Sequence, residues 1–415
     1  MVNSFFWWVI IVFMILLDIY VFQAVKMVSQ TASEKARLII HSLYWGFAII
    51  TIIWMALLPF INLENMPRTL RSTLFAIVIG LFFAKIIAST FFLIDDIRRG
   101  IQWVAGKIFY QNTEGENISD SGISRSAFLS WAGLLIGGGL FTSLIYGFNN
   151  RYRYQLKQVS LKYPNLPAAF RGLKVVQISD IHAGSLSDQE AVMKGIEQIM
   201  DINPDLILFT GDLVNDRATE MESLKDIFSK LKAPLGIFSI LGNHDYGDYA
   251  QWESPASKKQ NLEDLKSIHA SMGWRLLLNE HVVIERDNEQ IAVLGVENWS
   301  NKARFPKYGD LSKAYSGSAH HPFKILLSHD PSHWDAEVRA DYKDIDLMLA
   351  GHTHGMQFGV EIPGFKWSPV QYVYNQWAGL YEDQHQKLYV NRGLGFIGYP
   401  GRVGILPEIT LIELI

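Results

Sequence analysis

The apolar residues are concentrated in the first 150 positions, where four long runs are separated by short polar segments. The runs cover residues 5–25, 38–58, 70–94 and 127–146. Each has about 20 residues or more, the length that an α-helix needs to cross roughly 30 Å of hydrocarbon. Helices of a soluble bundle are the alternative, but they would show a polar face that these runs lack. The pattern predicts a four-span transmembrane region over 1–148, with a first helix that is retained rather than cleaved as a signal.

Positive charges in the loops predict the orientation of the spans. Lys26, Lys35 and Arg37 follow the first run, Arg98, Arg99, Lys107 and Arg125 follow the third, and Arg68 and Arg71 follow the second. Because Lys and Arg favour cytoplasmic loops, the first and third loops are expected inside and the C-terminal domain outside the cytoplasm. Arg151, Arg153 and Lys157 oppose this orientation. We expect an integral protein of a bacterial plasma membrane.

Two charged residues lie well inside the apolar runs, away from their ends. Asp18 lies in the first run and Lys85 in the third, at similar distances from the starts of runs that cross in the same direction. A lone charge in hydrocarbon costs roughly 2.5–3.5 kcal/mol even on insertion scales. The sequence therefore predicts that Asp18 and Lys85 pair, the alternative being that each extends separately to the membrane interface.

After residue 148 the pattern changes to short apolar strands alternating with amphipathic helical stretches. A polar connector is expected over 149–172, followed by a domain over 173–415 whose second half is rich in strands. This alternation predicts an α/β fold in which two sheets pack as a sandwich with helices outside. The chain has no cysteine, so any metal must be held by His, Asp, Asn or Glu. Its net charge of −4 gives no reason to expect a nucleic-acid partner.

Five polar blocks follow the predicted strands, and each offers oxygen or imidazole ligands. In chain order they are Asp180-Ile181-His182, Gly211-Asp212-Leu213-Val214-Asn215, Gly242-Asn243-His244-Asp245, His329 and Gly351-His352-Thr353-His354. Loops at the carboxyl ends of parallel strands meet at one edge of a sheet. One such block alone is more often ordinary loop polarity, but five in this order suit two divalent metals and phosphoester hydrolysis.

The five blocks resemble those of the calcineurin-like metallophosphoesterase superfamily, over about residues 173–415. The tail, with Asn391-Arg392-Gly393-Leu394-Gly395, is similar to the membrane-associated branch in particular. The resemblance implies an α/β sandwich phosphoesterase that cleaves phosphate mono- or diesters by attack of a metal-activated hydroxide. It assigns the first metal to Asp180, His182, Asp212 and His354, and the second to Asp212, Asn243, His329 and His352. Mixed ligation of this kind suits two transition-metal ions, Mn, Fe, Zn or Co.

Further roles are assigned to neighbours of these ligands. His244 is the expected general acid or transition-state stabiliser, and Asp245 is expected to orient its imidazole. Arg392 or Arg402 is expected to contact a substrate phosphate, a surface or capping arginine being the alternative in each case. Asn215 stands where the family usually has Asp, and Met356 stands where it often has Gly, so that a larger side chain narrows the pocket rim.

The phosphoester substrate is expected to be lipid-linked, because the site is tethered close to the membrane. An aromatic segment over 358–381 follows the last block, and either core packing or contact with the bilayer or an acyl chain explains it. A metal-binding sensor or scaffold with little catalytic activity is the alternative function. A transporter is a third possibility, which rests only on the four spans.

Overall fold

The computed structural model describes residues 4–61, 66–109 and 124–415, so the predicted transmembrane region 1–148 includes short stretches outside the described residues. The chain divides into two compact units, Met1–Tyr146 and Gly147–Ile415. We refer to them as the membrane unit and the α/β unit.

Long apolar helices form the described part of the membrane unit. They are α1 (Ser4–Val28), α2 (Glu34–Leu57), α3 (Arg68–Phe109) and α4 (Arg125–Gly147). Among the described residues, these four helices are long and apolar enough to cross a membrane. The four predicted spans are therefore confirmed by length and composition.

Helix α3 is longer than its apolar run. Its 42 residues correspond to about 63 Å at 1.5 Å per residue. Arg98 and Arg99, which the sequence placed in a loop, lie on this helix and pair with Asp95 and Asp96 one turn earlier. Such i,i+3 pairs support a charged helical extension, which explains why the helix continues past Ile94.

Three helices of the membrane unit meet at the buried Asp18. Lys85 of α3 forms an ion pair with the Asp18 carboxylate of α1, which confirms the predicted pair. The Tyr44 hydroxyl of α2 donates to the Asp18 carbonyl oxygen over 2.8 Å. Neither charge therefore faces hydrocarbon alone.

Small residues bring α4 close to α3. A Cβ on Gly137 would lie 2.5 Å from the Ala84 carbonyl oxygen, and one on Gly133 would lie 2.8 Å from that of Ala88. A Gly-x-x-x-Gly spacing of this kind is typical of close helix packing in membranes.

The α/β unit contains two six-stranded sheets and a separate two-stranded sheet. Its strands are β1 (Gln155–Leu161), β2 (Leu173–Ile178), β3 (Leu206–Phe209), β4 (Ile237–Ser239), β5 (Arg275–Leu276), β6 (Glu280–Arg286), β7 (Glu289–Gly295), β8 (Lys324–Leu327), β9 (Leu347–Ala350), β10 (Val360–Ile362), β11 (Phe365–Trp367), β12 (Gly379–Asp383), β13 (Gln386–Val390) and β14 (Glu408–Leu414). Its helices are α5 (Gln189–Asp201), α6 (Lys225–Phe228), α7 (Pro255–Ser271), α8 (Leu311–Tyr315) and α9 (Arg339–Asp341).

The order of the strands places the five blocks on parallel neighbours. The first sheet runs β1-β14-β2-β3-β4-β5 and the second β12-β13-β9-β8-β7-β6, while β10 and β11 form the two-stranded sheet. Strands β2 to β5 are mutually parallel, as are β7, β8, β9 and β13. Each sheet therefore has a carboxyl edge on which several loops converge.

Alternate residues of the central strands face different cores, as expected for strands buried on both sides. Leu206 and Leu208 of β3 pack between the two sheets, whereas Ile207 and Phe209 pack beneath α5 and α7. A further cluster containing Ala292 and Leu294 covers the outer face of the second sheet. The predicted α/β sandwich is confirmed.

Two local predictions differ from the structure. The predicted connector 149–172 contains β1, which pairs in parallel with β14 and belongs to the first sheet. This edge strand alternates exposed and half-buried residues rather than forming an apolar run. The amphipathic pattern over 219–231 predicts one helix, but the structure has two short segments there, Ala218–Met221 and α6.

Candidate metal centre and active site

The five polar blocks lie where buried strands end. Strands β2, β3 and β4 lead into the blocks at Asp180, Asp212 and Asn243, and β8 and β9 lead into His329 and His352. Packing of the two sheets brings both groups of loops together around a cavity of about 270 Å³. The predicted ligands are thus assembled from five loops at adjoining sheet edges.

Tight turns aim the side chains into this cavity. The backbone at Asp180, His182, Asp212, His352 and His354 has φ between 48° and 71°, in the left-handed region. Non-glycine residues adopt this region at a cost, and such strain is often concentrated at functional sites. A Cβ on Gly242 would overlap the Asp212 carboxylate, and one on Gly351 would overlap that of Asp180. These two glycines therefore let the backbone approach the site closely.

One group of predicted ligands consists of Asp180, His182 and His354, whose side chains point toward a common space. The Nε2 atoms of His182 and His354 are 3.0 Å apart. Asp180 Oδ1 lies 3.2 Å from His354 Nε2, and Asp212 Oδ2 lies 3.5 Å from His182 Nε2. Asp180, His182 and His354 offer ligand atoms that all lie within 4.8 Å of one another. These are the residues that the resemblance assigned to the first metal.

A second group lies on the other side of Asp212. Its Oδ2 is 3.2 Å from His329 Nε2, and Asn243 Oδ1 is 2.7 Å from His352 Nδ1. Asp212 Oδ2 therefore faces an imidazole of each group, the position expected of a carboxylate shared by two cations. Asp180, Asp212 and His329 also form a compact set of ligand atoms.

The hydrogen-bond partners in this second group fit a cation. The Tyr374 hydroxyl donates to Asp330 Oδ2 over 3.1 Å, so that its oxygen is left to accept from His352 Nε2, 2.9 Å away. In the neutral ring, His352 Nδ1 is then an acceptor that faces another acceptor, Asn243 Oδ1. His329 Nδ1 donates to the Thr210 carbonyl, so its buried Nε2 is an acceptor that faces the Asp212 carboxylate. A cation would satisfy all three acceptors.

The site shifts the pKa values of its histidines in different directions. Burial lowers the pKa of His182, His352 and His354, which keeps these imidazoles neutral and able to bind a cation. Burial also opposes protonation of His329, but the adjacent Asp212 carboxylate outweighs it and raises the pKa of His329 to about 10. A cation at Nε2 would take the place of that proton.

His244 lies at the wall of the cavity, and its Nδ1 atom is already hydrogen-bonded within the protein. Its Nδ1 donates to the Asn215 carbonyl over 2.8 Å, and its backbone N–H donates to Asp212 Oδ1. The ring is half-buried and lines the cavity. This arrangement fixes the imidazole and leaves Nε2 to exchange a proton with a bound substrate.

Asp245 does not orient His244, contrary to the prediction. Its carboxylate accepts the backbone N–H groups of Asp212, Leu213, Val214 and Gly242 at 2.8–3.2 Å. Burial and the Asp212 carboxylate raise the pKa of Asp245 to about 7, against the effect of these donors. The fully buried side chain joins the second and third blocks, and a backbone carbonyl orients His244 instead.

Arg392 and Arg402 do not line the cavity, so the structure contradicts their predicted contact with substrate. Arg392 is buried and pairs with Glu408 and Glu361. Arg402 is completely buried, and its guanidinium donates to the carbonyls of His354, Arg392, Gly393 and Gly395. Arg402 therefore supports the loop that carries His354.

Sequence reasoning missed three residues around the site. Arg304 is exposed on the cavity wall with its guanidinium 4.6 Å from the centre of the Phe305 ring. Tyr374 connects His352 to Asp330 through its hydroxyl. Glu220 accepts the backbone N–H groups of Asn215 and Gly184 and so connects two ligand loops. Glu220 had a sequence signal, as an acidic residue in the first turn of a helical segment, and Tyr374 lies in the aromatic segment 358–381, for which no contact with a ligand histidine was expected.

Comparisons with known proteins agree with this geometry. Residues 3–151 match the family model described as "Probable Calcineurin-like phosphoesterase, transmembrane domain", and residues 173–356 match "Calcineurin-like phosphoesterase". A "Transmembrane protein with metallophosphoesterase domain" of Danio rerio is 30% identical over 74% of this chain and 67% of its own length. The chain belongs to the calcineurin-like phosphoesterases. It is an integral membrane protein and a phosphoric ester hydrolase.

Two bacterial relatives of this phosphoesterase have more specific names. The UDP-2,3-diacylglucosamine pyrophosphatase LpxG of Chlamydia trachomatis is 29% identical, with 56% of this chain and 81% of the relative covered. The phosphodiesterase YaeI of Escherichia coli is 31% identical, with 58% of this chain and 82% of the relative covered. Both names describe cleavage of a bond between phosphorus and oxygen.

Proposed function

We propose that this phosphoesterase hydrolyses a lipid-linked phosphate ester or anhydride and uses two divalent transition-metal cations. The observation that carries the proposal is the convergence of Asp180, His182, Asp212, Asn243, His329, His352 and His354 on one cavity, with acceptor atoms that face each other. Asp180, His182 and His354 would hold one cation, Asn243, His329 and His352 the other, and Asp212 both. Cations at these positions would polarise phosphoryl oxygens and favour the deprotonated form of the attacking water.

Side chains of the protein would then stabilise or protonate the leaving group. As the water oxygen bonds to phosphorus, the bond from phosphorus to the leaving oxygen breaks and that oxygen gains negative charge. The imidazolium form of His244, whose Nδ1–H stays on the Asn215 carbonyl, carries a second proton on Nε2 that it would donate to this oxygen or use to stabilise its charge. Arg304 at the wall would attract the anionic substrate.

The lipid-linked part of the proposal rests on the membrane unit and on one relative. The four spans would anchor the enzyme in the membrane that contains a lipid substrate, so the enzyme would meet that lipid at a high local concentration. LpxG, named for a diacylated substrate, is compatible with this substrate class.

Hydrolysis by the purified full-length protein tests the proposal. After chelation and reloading with Mn²⁺, Zn²⁺ or Co²⁺, it would be given a soluble 4-nitrophenyl diester, a phosphomonoester, a phospholipid and a lipid pyrophosphate. We expect metal-dependent turnover that is highest on a lipid. If metal is bound but none of these substrates is cleaved faster than by Asp212→Ala, the protein is the metal-binding sensor or scaffold instead.

We also propose that the α/β unit lies outside the cytoplasm, from the loop charges. Because the chain has no cysteine, single cysteines can report on this directly. Thr31→Cys, in the loop after α1, and Glu253→Cys, in the α/β unit, are both at exposed positions. A membrane-impermeant maleimide should label only Glu253→Cys in intact spheroplasts and both after lysis. Labelling of only Thr31→Cys would reverse the orientation.

A further inference from the structure

Exposed apolar side chains of the α/β unit cluster in one short stretch. Ten large apolar residues of this unit are exposed, and six of them fall between 356 and 373. We call these six the apolar rim: Met356, Val360, Ile362, Phe365, Tyr372 and Val373. Exposed apolar side chains that are concentrated in one region of a protein surface indicate a binding surface.

The apolar rim is continuous with the metal cavity. Met356 and Val373 line the cavity wall together with the buried Val370. Beyond them, Ile362 and Phe365 face each other across the β10–β11 hairpin, and the Trp367 indole donates to the Tyr372 hydroxyl over 3.4 Å. Val360 pairs with Trp367 across this hairpin, and Tyr372 precedes Val373 of the cavity wall, so a ligand whose phosphate lies in the cavity would have the rim beside it.

Met356 is held in a conformation that its own packing does not justify. Its φ is +56°, in the left-handed region that bulky residues avoid, and Gly355 beside it has φ of +54°. The side chain is 58% exposed, so burial within the protein offsets little of this strain. The buried Gln357 next to it, with φ of +56°, holds this turn through hydrogen bonds to Tyr399, Gly401 and Ile397, which leaves the Met356 side chain exposed at the mouth of the cavity for a ligand to contact.

The charges of the hairpin are engaged within the protein. Glu361 pairs with Lys157 and Arg392, and Lys366 donates to the Ala378 carbonyl and lies over the Tyr381 ring. The rim thus presents hydrocarbon and aromatic surface, which suits an apolar ligand. A protein seated there would cover the cavity mouth, whereas a chain attached to the substrate would leave the phosphate in place.

We propose that the apolar rim binds the hydrocarbon chains of the lipid whose phosphate enters the metal cavity. This inference rests on the proposed phosphoester hydrolysis and adds where the apolar part of the substrate binds. Lipid in the membrane that holds the four spans is the source of that hydrocarbon.

Chain-length dependence of hydrolysis tests the rim. The full-length protein in nanodiscs would be given 4-nitrophenyl alkyl phosphodiesters, with alkyl groups from methyl to octyl and one common leaving group. Complete removal of a methylene from water favours binding by up to about fourfold. We therefore expect kcat/KM to rise at least about tenfold from methyl to octyl.

Two rim variants and a matched control separate this effect from damage to the fold. Met356→Gly removes the side chain and relieves the backbone strain, and Val360→Ser removes a valine that is 44% exposed. Val283→Ser removes a strand valine that is 43% exposed on β6. We expect the octyl-to-methyl gain to fall about threefold or more in both rim variants and to stay unchanged in Val283→Ser. Equal gains in all four proteins would overturn the proposal, and so would the same loss in the control.

A binding readout makes failure of the rim distinguishable from failure of the proposed function. Phosphatidic acid with a diazirine at the end of an acyl chain would be photolysed with the protein, and the crosslinked peptide identified by mass spectrometry. Adducts within 356–373 support the rim even if no diester is cleaved, in which case the proposed hydrolysis alone fails. Adducts only in the membrane helices, together with chain-independent hydrolysis, would overturn the rim and retain the enzyme. A change in particle mass that depends on the rim would assign the surface to a second copy instead.

Discussion

Replacement of Asp245 should act on the framework of the metal centre rather than on proton transfer. The carboxylate is fully buried and accepts four backbone N–H groups, three from the loop after β3 and one from the loop after β4. Asp245→Ala would leave all four donors buried without an acceptor. Asp245→Asn would keep one acceptor oxygen and turn an NH₂ group toward the remaining donors.

The hydrogen bonds set the expected size of the effect. Each contributes about 1–1.5 kcal/mol net, so the alanine variant should lose about 4–6 kcal/mol and the asparagine variant roughly half of that. Since domains are stable by only about 5–15 kcal/mol, Asp245→Ala is expected to fold poorly. For a unit of this size, the loss in Asp245→Asn corresponds to a decrease in Tm of about 4–12 °C.

Thermal unfolding of the full-length protein in detergent, without and with Mn²⁺, measures this change. Asp188→Asn is the matched control, because exposed Asp188 also accepts a backbone N–H, from Ala191, as the cap of α5. Asn caps helices about as well as Asp, so its Tm should not change. A Tm of Asp245→Asn equal to that of the wild type, together with a large loss of turnover, would refute this reasoning and restore a role in orienting His244.

Three further predictions concern the metals, the general acid and the membrane pair. Elemental analysis should find two divalent cations per chain in the metal-replete protein and none in Asp212→Ala, because Asp212 faces both ligand groups; one ion retained in that variant would contradict a shared carboxylate. His244→Ala should keep both cations and lose turnover by about 10²-fold or more, whereas unchanged turnover would remove the imidazole from the reaction. Asp18→Lys should lower the yield of folded protein, since a lone charge costs roughly 2.5–3.5 kcal/mol in the membrane. Adding Lys85→Asp should restore part of that yield, and no recovery at all would show that the ion pair does not stabilise the fold.

The sequence was most informative where one physical rule left few choices. Parallel strands bring their carboxyl ends together, so the sequence pattern alone was enough to place Asp180, Asp212 and Asn243 at one edge of a sheet. The cost of an isolated charge in hydrocarbon likewise made Lys85 the natural partner of Asp18.

The sequence was least informative where a side chain forms hydrogen bonds with backbone groups that are distant in the chain. Asp245 follows His244 directly, yet three of its four partners are the N–H groups of Asp212, Leu213 and Val214, more than thirty residues earlier in the chain. For Arg402 the sequence left a substrate contact and a capping role open, and the structure shows the latter, because its guanidinium donates to carbonyls of loops that exist only in the folded unit. Strand β1 was missed because an edge strand beside β14 needs little apolar surface.

The position of β14 has a consequence for how the protein is made. Its residues 408–414 lie between β1 and β2, so that Gln155 pairs with Glu408. The ribosome reaches this strand some 230 residues after it has completed β2, as the numbering of the two strands shows. Until then, the first sheet lacks an interior strand and cannot be completed. Strand pairs that are far apart in the sequence also form slowly. The spans are thus synthesised well before the α/β unit can become compact, as export of an unfolded chain to the proposed location outside the cytoplasm would require.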